Sequence, residues 1–360
     1  MPKISILIPT YNRKHYISDA IDSVLNQTFQ DFEIVVRDDG STDNTLEFLQ
    51  QRYPKEISSG KLRLKSNPKN LGENSTSIKL IMDSFGKYFA ILHSDDMYLP
   101  HALQYFWETA EKYNADVVHT IRFLKSPPGG VIKEGTPLQI MSPEVRKVDK
   151  ITVMPNDQMS RLEEFFYSSL YFGDVQYTLF RREFVFDNRI LIETRCSNLW
   201  WLLLAKVYVK TPVIYYIYRN APDAKTNNTS ISSANLFPIE KLEKHIDDLI
   251  EMGRTFDKHA ADFEIFREHP EFGDMIKARQ FNVMTDCWIK GRNFYPNKRI
   301  PPQVRQIVEK TFKKHFGENA SYPIFLFHCF NLLPSAYGVE KTFIIPPPRI
   351  INEEITFEAA

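Results

Sequence analysis

Two acidic pairs stand out in the first hundred residues: Asp38–Asp39 in IVVRDDGSTDNT (Ile34 to Thr45) and Asp95–Asp96 in HSDDMYLP (His93 to Pro100). Each follows an apolar run, where a charge loses hydration and needs compensation. Adjacent carboxylates offer hard oxygen ligands to Mg²⁺ or Mn²⁺, and such a metal bridges to a diphosphate. The plainer reading is local. Ser41, Thr42, Asp43 and Asn44 are all helix-capping types, and the second pair could cap a helix that opens near Pro100. A third polar cluster, PTYNR (Pro9 to Arg13), ends the first apolar run. One such cluster reads as turn chemistry; three delivered to one edge by separate strands read as a binding site. No glycine-rich phosphate loop follows the first strand, so neither the dinucleotide fingerprint nor the P-loop is present.

The elements that must position these clusters follow from periodicity. ISILIP and FEIVVR are bounded, β-branched runs suited to buried parallel strands. Between them Ile17, Ala20, Ile21, Val24 and Leu25 make one helical face. The pattern continues with Leu46 and Leu49, the strand KLRLKS, a stripe of Ile78, Ile81, Met82 and Phe85, the strand YFAILHSDD, a helix over 100–113 with proline in its first turn, and a strand DVVHTIRFL over 116–124. Strands alternating with helices predict a Rossmann-like α/β fold, a mostly parallel sheet covered on both faces. Such sheets bind ligands at the carboxyl ends of their strands, where the strand order reverses. KSPPGGVIKEGTP reads as a surface excursion, followed by irregular α+β sequence to about Arg219. After Pro238 the patterns turn helical (Ile239, Leu242, Ile246, Leu249, Ile250; then Val304, Ile307, Val308, Phe312). We expect one domain over 1–225, with halves 1–125 and 126–225, and a helical region over 226–360.

The 360 residues carry 45 basic and 45 acidic side chains, 43% apolar and 25% charged overall. That is ordinary for a globular protein, and zero net charge provides no bulk attraction for nucleic acid. Cys196, Cys287 and Cys329 are odd in number and far apart, which fits neither a disulfide framework nor a metal cluster and favours a reducing cytoplasm. No signal-peptide pattern opens the sequence. YPIFLFHCFNLL (Tyr322 to Leu333) is shorter than the ~20 residues that span a bilayer and reads as a packed helix or an interface.

The stretch ISILIPTYNRKHYISDAIDSVLNQTFQDFEIVVRDDGSTDNT, followed by NLGENS and HSDDMYLP, resembles family 2 glycosyltransferases of the GT-A fold. The likeness covers about the first 125 residues and continues weakly to about residue 220. It implies that Asp39 holds the base of a nucleotide sugar, with Pro9, Thr10 and Tyr11 flanking it and Arg13 beside them, while Asp38 supports the turn. It implies that Asp96 ligates Mn²⁺ or Mg²⁺ while Asp95 faces the sugar and ribose. On that reading Asp96→Asn removes metal-dependent binding and leaves the fold intact. Arg219, before a polar run, matches the loop that closes over the diphosphate in relatives; that run reads equally as an interdomain linker. His93 has a supporting role.

The implied chemistry is inverting transfer from a nucleotide sugar, UDP-linked by preference, to a glycan, lipid-linked or other hydroxyl acceptor. A carboxylate removes the acceptor proton. Here the sequence departs from the family pattern: in FDNRILIETRCSNLWWLLLA, Cys196 and Ser197 stand where an acidic pair is usual. Glu193 and Asp174 are the nearest substitutes for the base, and for Glu193 a solvated surface role weighs equally. After NLG the family's Arg-Asn pair is Ile78–Lys79. Trp200 and Trp201 either stack on an acceptor sugar or pack in the core, the commoner arrangement. The expected protein is a cytoplasmic enzyme of polysaccharide biosynthesis, with peripheral association at the inner face of a membrane and self-association through the C-terminal region left open. The competing readings are a retired nucleotide-sugar-binding or scaffolding protein that lost its base, and a nucleotidyltransferase, which the missing triphosphate loop disfavours.

Overall fold

A computed structural model describes residues 1–127, 130, 132–141, 149–167, 175–188 and 197–219, and beyond them 256–270 with scattered residues between 243 and 355. The chain divides into two compact units, Met1–Pro222 and Asp223–Ala360. In the first, β1 (Ile4–Thr10) is buried along its whole length and β2 (Phe32–Asp38) at all but Arg37. Both therefore lie inside the sheet, covered on two faces. Between them α1 (Ile17–Leu25) buries Ile17, Ala20, Ile21 and Val24, the face its 3.6-residue period defines. Then follow α2 (Thr45–Arg52), α3 (Pro54–Ser58), β3 (Leu62–Ser66), α4 (Glu73–Asp83), β4 (Tyr88–Ile91), β5 (Met97–Tyr98) and α5 (Ala102–Tyr113).

The next strands are β6 (Val117–Thr120), β7 (Phe123–Lys125), β8 (Gln139–Met141) and β9 (Thr152–Val153). After α6 (Gln158–Tyr167) come β10 (Thr178–Arg181), α7 (Arg182–Asp187), α8 (Ser197–Leu204), β11 (Tyr208–Thr211) and β12 (Tyr216–Tyr218). The main sheet runs β3-β2-β1-β4-β10-β6-β11-β9; β3, β2, β1 and β4 are parallel, β10 is antiparallel between β4 and β6, and β9 is an antiparallel edge. A second sheet runs β5-β12-β7-β8. The order reverses between β1 and β4, so a crevice opens at their carboxyl ends.

Two expectations change, and one open alternative closes on its commoner side. The single strand over 116–124 is two strands in different sheets, because Thr120 Oγ1 donates to Val213 O (2.6 Å) and the chain turns before Phe123. The stripe on α4 stops at Ile81: the helix ends at Asp83, leaving Met82 and Phe85 more than half exposed, Phe85 under the Arg63 guanidinium at 4.3 Å. Trp200 and Trp201 are buried, the latter 4.3 Å from Phe180, so they are core and do not stack on an acceptor.

Across β10, β6 and β11 runs a buried polar row. His119 Nδ1 lies 2.8 Å from Thr178 Oγ1, and Lys210 is its register partner on β11. Burial and then the Lys210 charge push the imidazole down to about 3, so it is neutral in the folded protein. Because the folded value lies below the unfolded one, the unfolded chain binds the extra proton first. Stability fully present above pH 6.5 is therefore lost as pH falls toward 3. Urea midpoints should show that His119→Gln flattens this acid limb by on the order of 2–3 kcal/mol at pH 4.5; parallel curves for the two proteins would refute it.

In the second unit, α9 (Glu264–Glu268) packs Phe266 against Phe256 and Phe263. Lys314 pairs with Asp247 at 3.2 Å, and β13 (Ile350–Ile351) pairs with β14 (Glu354–Ile355). Most of the two helical stripes, and Tyr322 to Leu333, lie outside the described residues.

Candidate functional site

The first acidic pair splits into two jobs. Asp38 accepts from Ser41 N–H (3.0 Å) and from the Ser41 hydroxyl, closing the turn after β2. Burial raises its carboxyl pKa against the pull of those bonds. Helix capping falls to Asp43, which accepts from Thr45 N–H (3.1 Å) and Oγ1 (2.5 Å), and from Lys14 N–H (3.1 Å). Asn12, in the left-handed region at φ 54°, donates its N–H to Ser41 Oγ (2.8 Å) and accepts from Thr42 N–H (2.8 Å). The loops after β1 and β2 are thus laced together.

Asp39 does not cap a helix. Its Oδ1 accepts from Asn67 Nδ2 (2.8 Å) and Leu71 N–H (2.9 Å), and its Oδ2 from Gly72 N–H (2.9 Å). A carboxylate has about four acceptor positions, so among the described residues one on Oδ2 is unused, on a residue that is itself 3% exposed. Asn67 is the hub beneath it, giving a second hydrogen bond to Thr76 Oγ1 (2.9 Å) and accepting from Arg37 Nη1 (3.0 Å). Lys79 brings its amine to 3.5 Å from the same Asn67 oxygen. Gly40, at φ 75°, lets this loop close: a Cβ there would lie 2.9 Å from the Lys69 carbonyl carbon.

The second pair also divides into an inward and an outward member. Asp96, expected to ligate the metal, is 1% exposed. Its Oδ2 accepts from the Tyr216 hydroxyl (2.5 Å) and its Oδ1 from Arg219 N–H (2.7 Å). Burial and the Asp95 charge push its carboxyl up to about 7, against the lowering effects of His93 and those two bonds. These two bonds tie β12 to the turn after β4. Asp95 is the outward member, its side chain 28% exposed, with Oδ2 3.5 Å from Arg13 Nε. His93 lies between Glu73 (3.2 Å) and Asp96 (3.8 Å). Burial opposes its charge, but Glu73, Asp96 and Asp95 outweigh that and push the imidazole up to about 10.

Of the other expected site residues, Pro9 and Thr10 are buried at the end of β1 and Tyr11 is half-buried in the following turn. Arg219 is buried, its Nη2 donating to Asp19 Oδ2 (2.7 Å), which latches the end of β12 to α1. Glu193 and Asp174 lie outside the described residues. Ser197 opens α8. Sequence reasoning gave no role to Asn67, Asp19 and Tyr216, nor to Glu73 within NLGENS; their contacts to Asp39, Arg219, Asp96 and His93 span 20 to 200 positions. Among the described residues no group of three or more His, Cys, Asp or Glu side chains is placed to hold a metal. Asp95 fits a site in which one carboxylate is supplemented by ligand phosphates and water, as Mg²⁺ commonly is.

Polar groups from the ends of β1, β2 and β4 gather at the point of strand reversal in an α/β domain of the GT-A type. The family model for glycosyl transferase family 2 matches residues 5–185, and the chain belongs to that family. Similar proteins include the chondroitin synthase of Pasteurella multocida strain Pm70, 36% identical over 136 residues (38% of this chain, 14% of that one). An uncharacterized glycosyltransferase of Haemophilus influenzae is 44% identical over 102 residues (28% and 30%). The matched stretch thus spans well under half the length of each of these relatives. Among solved structures, S. aureus TarS 1-349 in complex with UDP-GlcNAc has a TM-score of 0.56 at 19% identity, covering 86% of this chain and 81% of that one. TarS 1-349 alone has a TM-score of 0.53 at 16% identity over 99% and 97%. These likenesses agree with the GT-A fold. No helix among the described residues is long and apolar enough to cross a membrane.

Proposed function

We propose that this family 2 chain is a glycosyltransferase that takes its sugar from a UDP-linked donor and passes it, with inversion, to a hydroxyl on a glycan or lipid-linked acceptor. The observation that carries this reading is the pairing of one remaining acceptor position on Asp39 with one outward carboxylate, Asp95, at the reversal point of the sheet. Asp39 is suited to a base that presents a ring N–H, as uracil does at N3 and guanine at N1 while cytosine and adenine do not. Asp95 would hold Mn²⁺ or Mg²⁺ with the donor's phosphates. With such an ion bound, charge on a departing diphosphate would be stabilised beside Asp95. The acceptor proton goes to a carboxylate, for which Glu193 and Asp174 are the candidates. A panel of nucleotide sugars with Mn²⁺, read by thermal shift and by nucleotide release, tests the whole reading; no shift with any UDP-sugar would refute it.

Asp95→Asn should weaken Mn²⁺-dependent UDP binding about tenfold or more while leaving metal-free binding undiminished. Calorimetry showing undiminished Mn²⁺ dependence would remove Asp95 from this role. Glu193→Gln or Asp174→Asn should lower transfer by ~10²–10⁴-fold with donor affinity intact, the range for a positioned base. A second reading has one observation in its favour, Cys196 and Ser197 in place of the usual acidic pair. On it the protein binds nucleotide sugars without turning them over, and the panel would give shifts without release.

A further inference from the structure

Asn67 stands between two opposite charges. Its backbone N–H donates to Asp38 O (2.8 Å), which seats the side chain between Arg37 and Asp39. Its Nδ2 donates to Asp39 Oδ1 (2.8 Å) and Thr76 Oγ1 (2.9 Å), while its Oδ1 accepts from Arg37 Nη1 (3.0 Å), with the Lys79 amine farther off at 3.5 Å. An ionised carboxylate only accepts and a guanidinium only donates. The amide therefore fits in one of its two orientations; turned over, it would set oxygen against oxygen at Asp39 and nitrogen against nitrogen at Arg37. Arg37 is itself fixed. Its side chain is 11% exposed, Nη2 is paired with Asp83 at the end of α4, and Nη1 also donates to Ser66 O (3.2 Å).

We propose that Arg37 is a positioning residue of the nucleotide site: it holds the Asn67 amide in the orientation that donates to Asp39 Oδ1, which leaves Oδ2 as the carboxylate oxygen open to the base. The proposal rests on the reading of Asp39 as the carboxylate that meets the base. Arg37 acts on the base only through Asn67. Its ion pair with Asp83 is a separate contribution, joining β2 to the C-terminal end of α4. The two contributions can be told apart because they use different nitrogens of one guanidinium, Nη1 toward Asn67 and Nη2 toward Asp83.

Hydrogen exchange at the Leu71 and Gly72 amides and UDP affinity are to be measured on wild type, Arg37→Met, Asp83→Asn, Asn67→Ala and the Arg37→Met/Asn67→Ala double variant. Arg37→Met should speed exchange at those two amides about tenfold, the scale of one hydrogen bond to a charged group. It should weaken UDP binding about threefold, the scale on which a residue outside the contacts tunes a site. Asp83→Asn leaves the Asn67 contact in place, so it should lower the thermal midpoint and leave UDP affinity unchanged. With Asn67 already alanine, Arg37→Met should add nothing to either readout. Exchange that accelerates alike along β2 and α4, or a further loss of UDP affinity from Arg37→Met in the Asn67→Ala background, would make Arg37 structural alone and overturn the proposal. So would unchanged UDP affinity in Arg37→Met. Should that variant fail to fold, Asp83→Asn and Asn67→Ala still decide, since equal losses of UDP affinity in the two refute a role through Asn67. Wild type that binds no UDP overturns the nucleotide reading and the proposal with it.

Discussion

Replacing Asp96 by alanine is expected to lower the thermal midpoint of residues 1–222 by about 4–16 °C, whatever the protein's substrate. The carboxylate is enclosed, and its removal strands two donors, the Tyr216 hydroxyl and the Arg219 N–H. An unpaired buried donor costs about 1–3 kcal/mol. Against this, the variant is relieved of a buried charge beside Asp95, the same burial that raises the carboxyl pKa. A net loss of about 2–4 kcal/mol remains, and a domain of this size shifts about 2–4 °C per kcal/mol. Asp96→Asn should cost about half as much, since its amide oxygen still accepts one of the two bonds. A midpoint within about 2 °C of wild type for Asp96→Ala would mean that β12 is not anchored through this residue.

The contrast with Asp95 shows where sequence reasoning stopped. Two adjacent aspartates after a buried strand announce a site, but nothing local distinguishes the one that faces the crevice from the one that faces inward. That choice is made by β12, about 120 residues later, which returns beside β5 and brings Tyr216 and Arg219 against Asp96. The same holds at Asp38 and Asp39. Adjacent residues on a strand point to opposite faces, and the face is settled by the loop over 67–72 closing on Asp39. By contrast β1, β2 and α1 were legible, because burial on both faces of a strand, or on one stripe of a helix, leaves its period in the sequence itself. The antiparallel insertion of β10 between β4 and β6 was not legible. Its four residues, TLFR, have the composition of any buried strand, and direction leaves no trace in composition.

Asp39→Asn should have the larger effect on binding, lowering UDP affinity by about 10–100-fold. Part of this is direct: a charged acceptor facing a base N–H contributes about 1.5–3 kcal/mol more than no bond. The rest comes through the loop. An asparagine presents an amine where the carboxylate met Gly72 N–H or the Asn67 amide, so a donor faces a donor and the segment from Asn67 to Gly72 loosens. Hydrogen exchange should accordingly accelerate at the Leu71 and Gly72 amides. Asn67→Ala separates the two contributions. It removes one tether, and with it the Arg37 and Thr76 contacts, but leaves the remaining acceptor position on Asp39 in place. Loop exchange should then rise as much as in Asp39→Asn while UDP affinity falls by much less. Equal losses of affinity in the two variants would assign Asp39 to holding the loop alone, and the base would have to be read by another group at the end of β1.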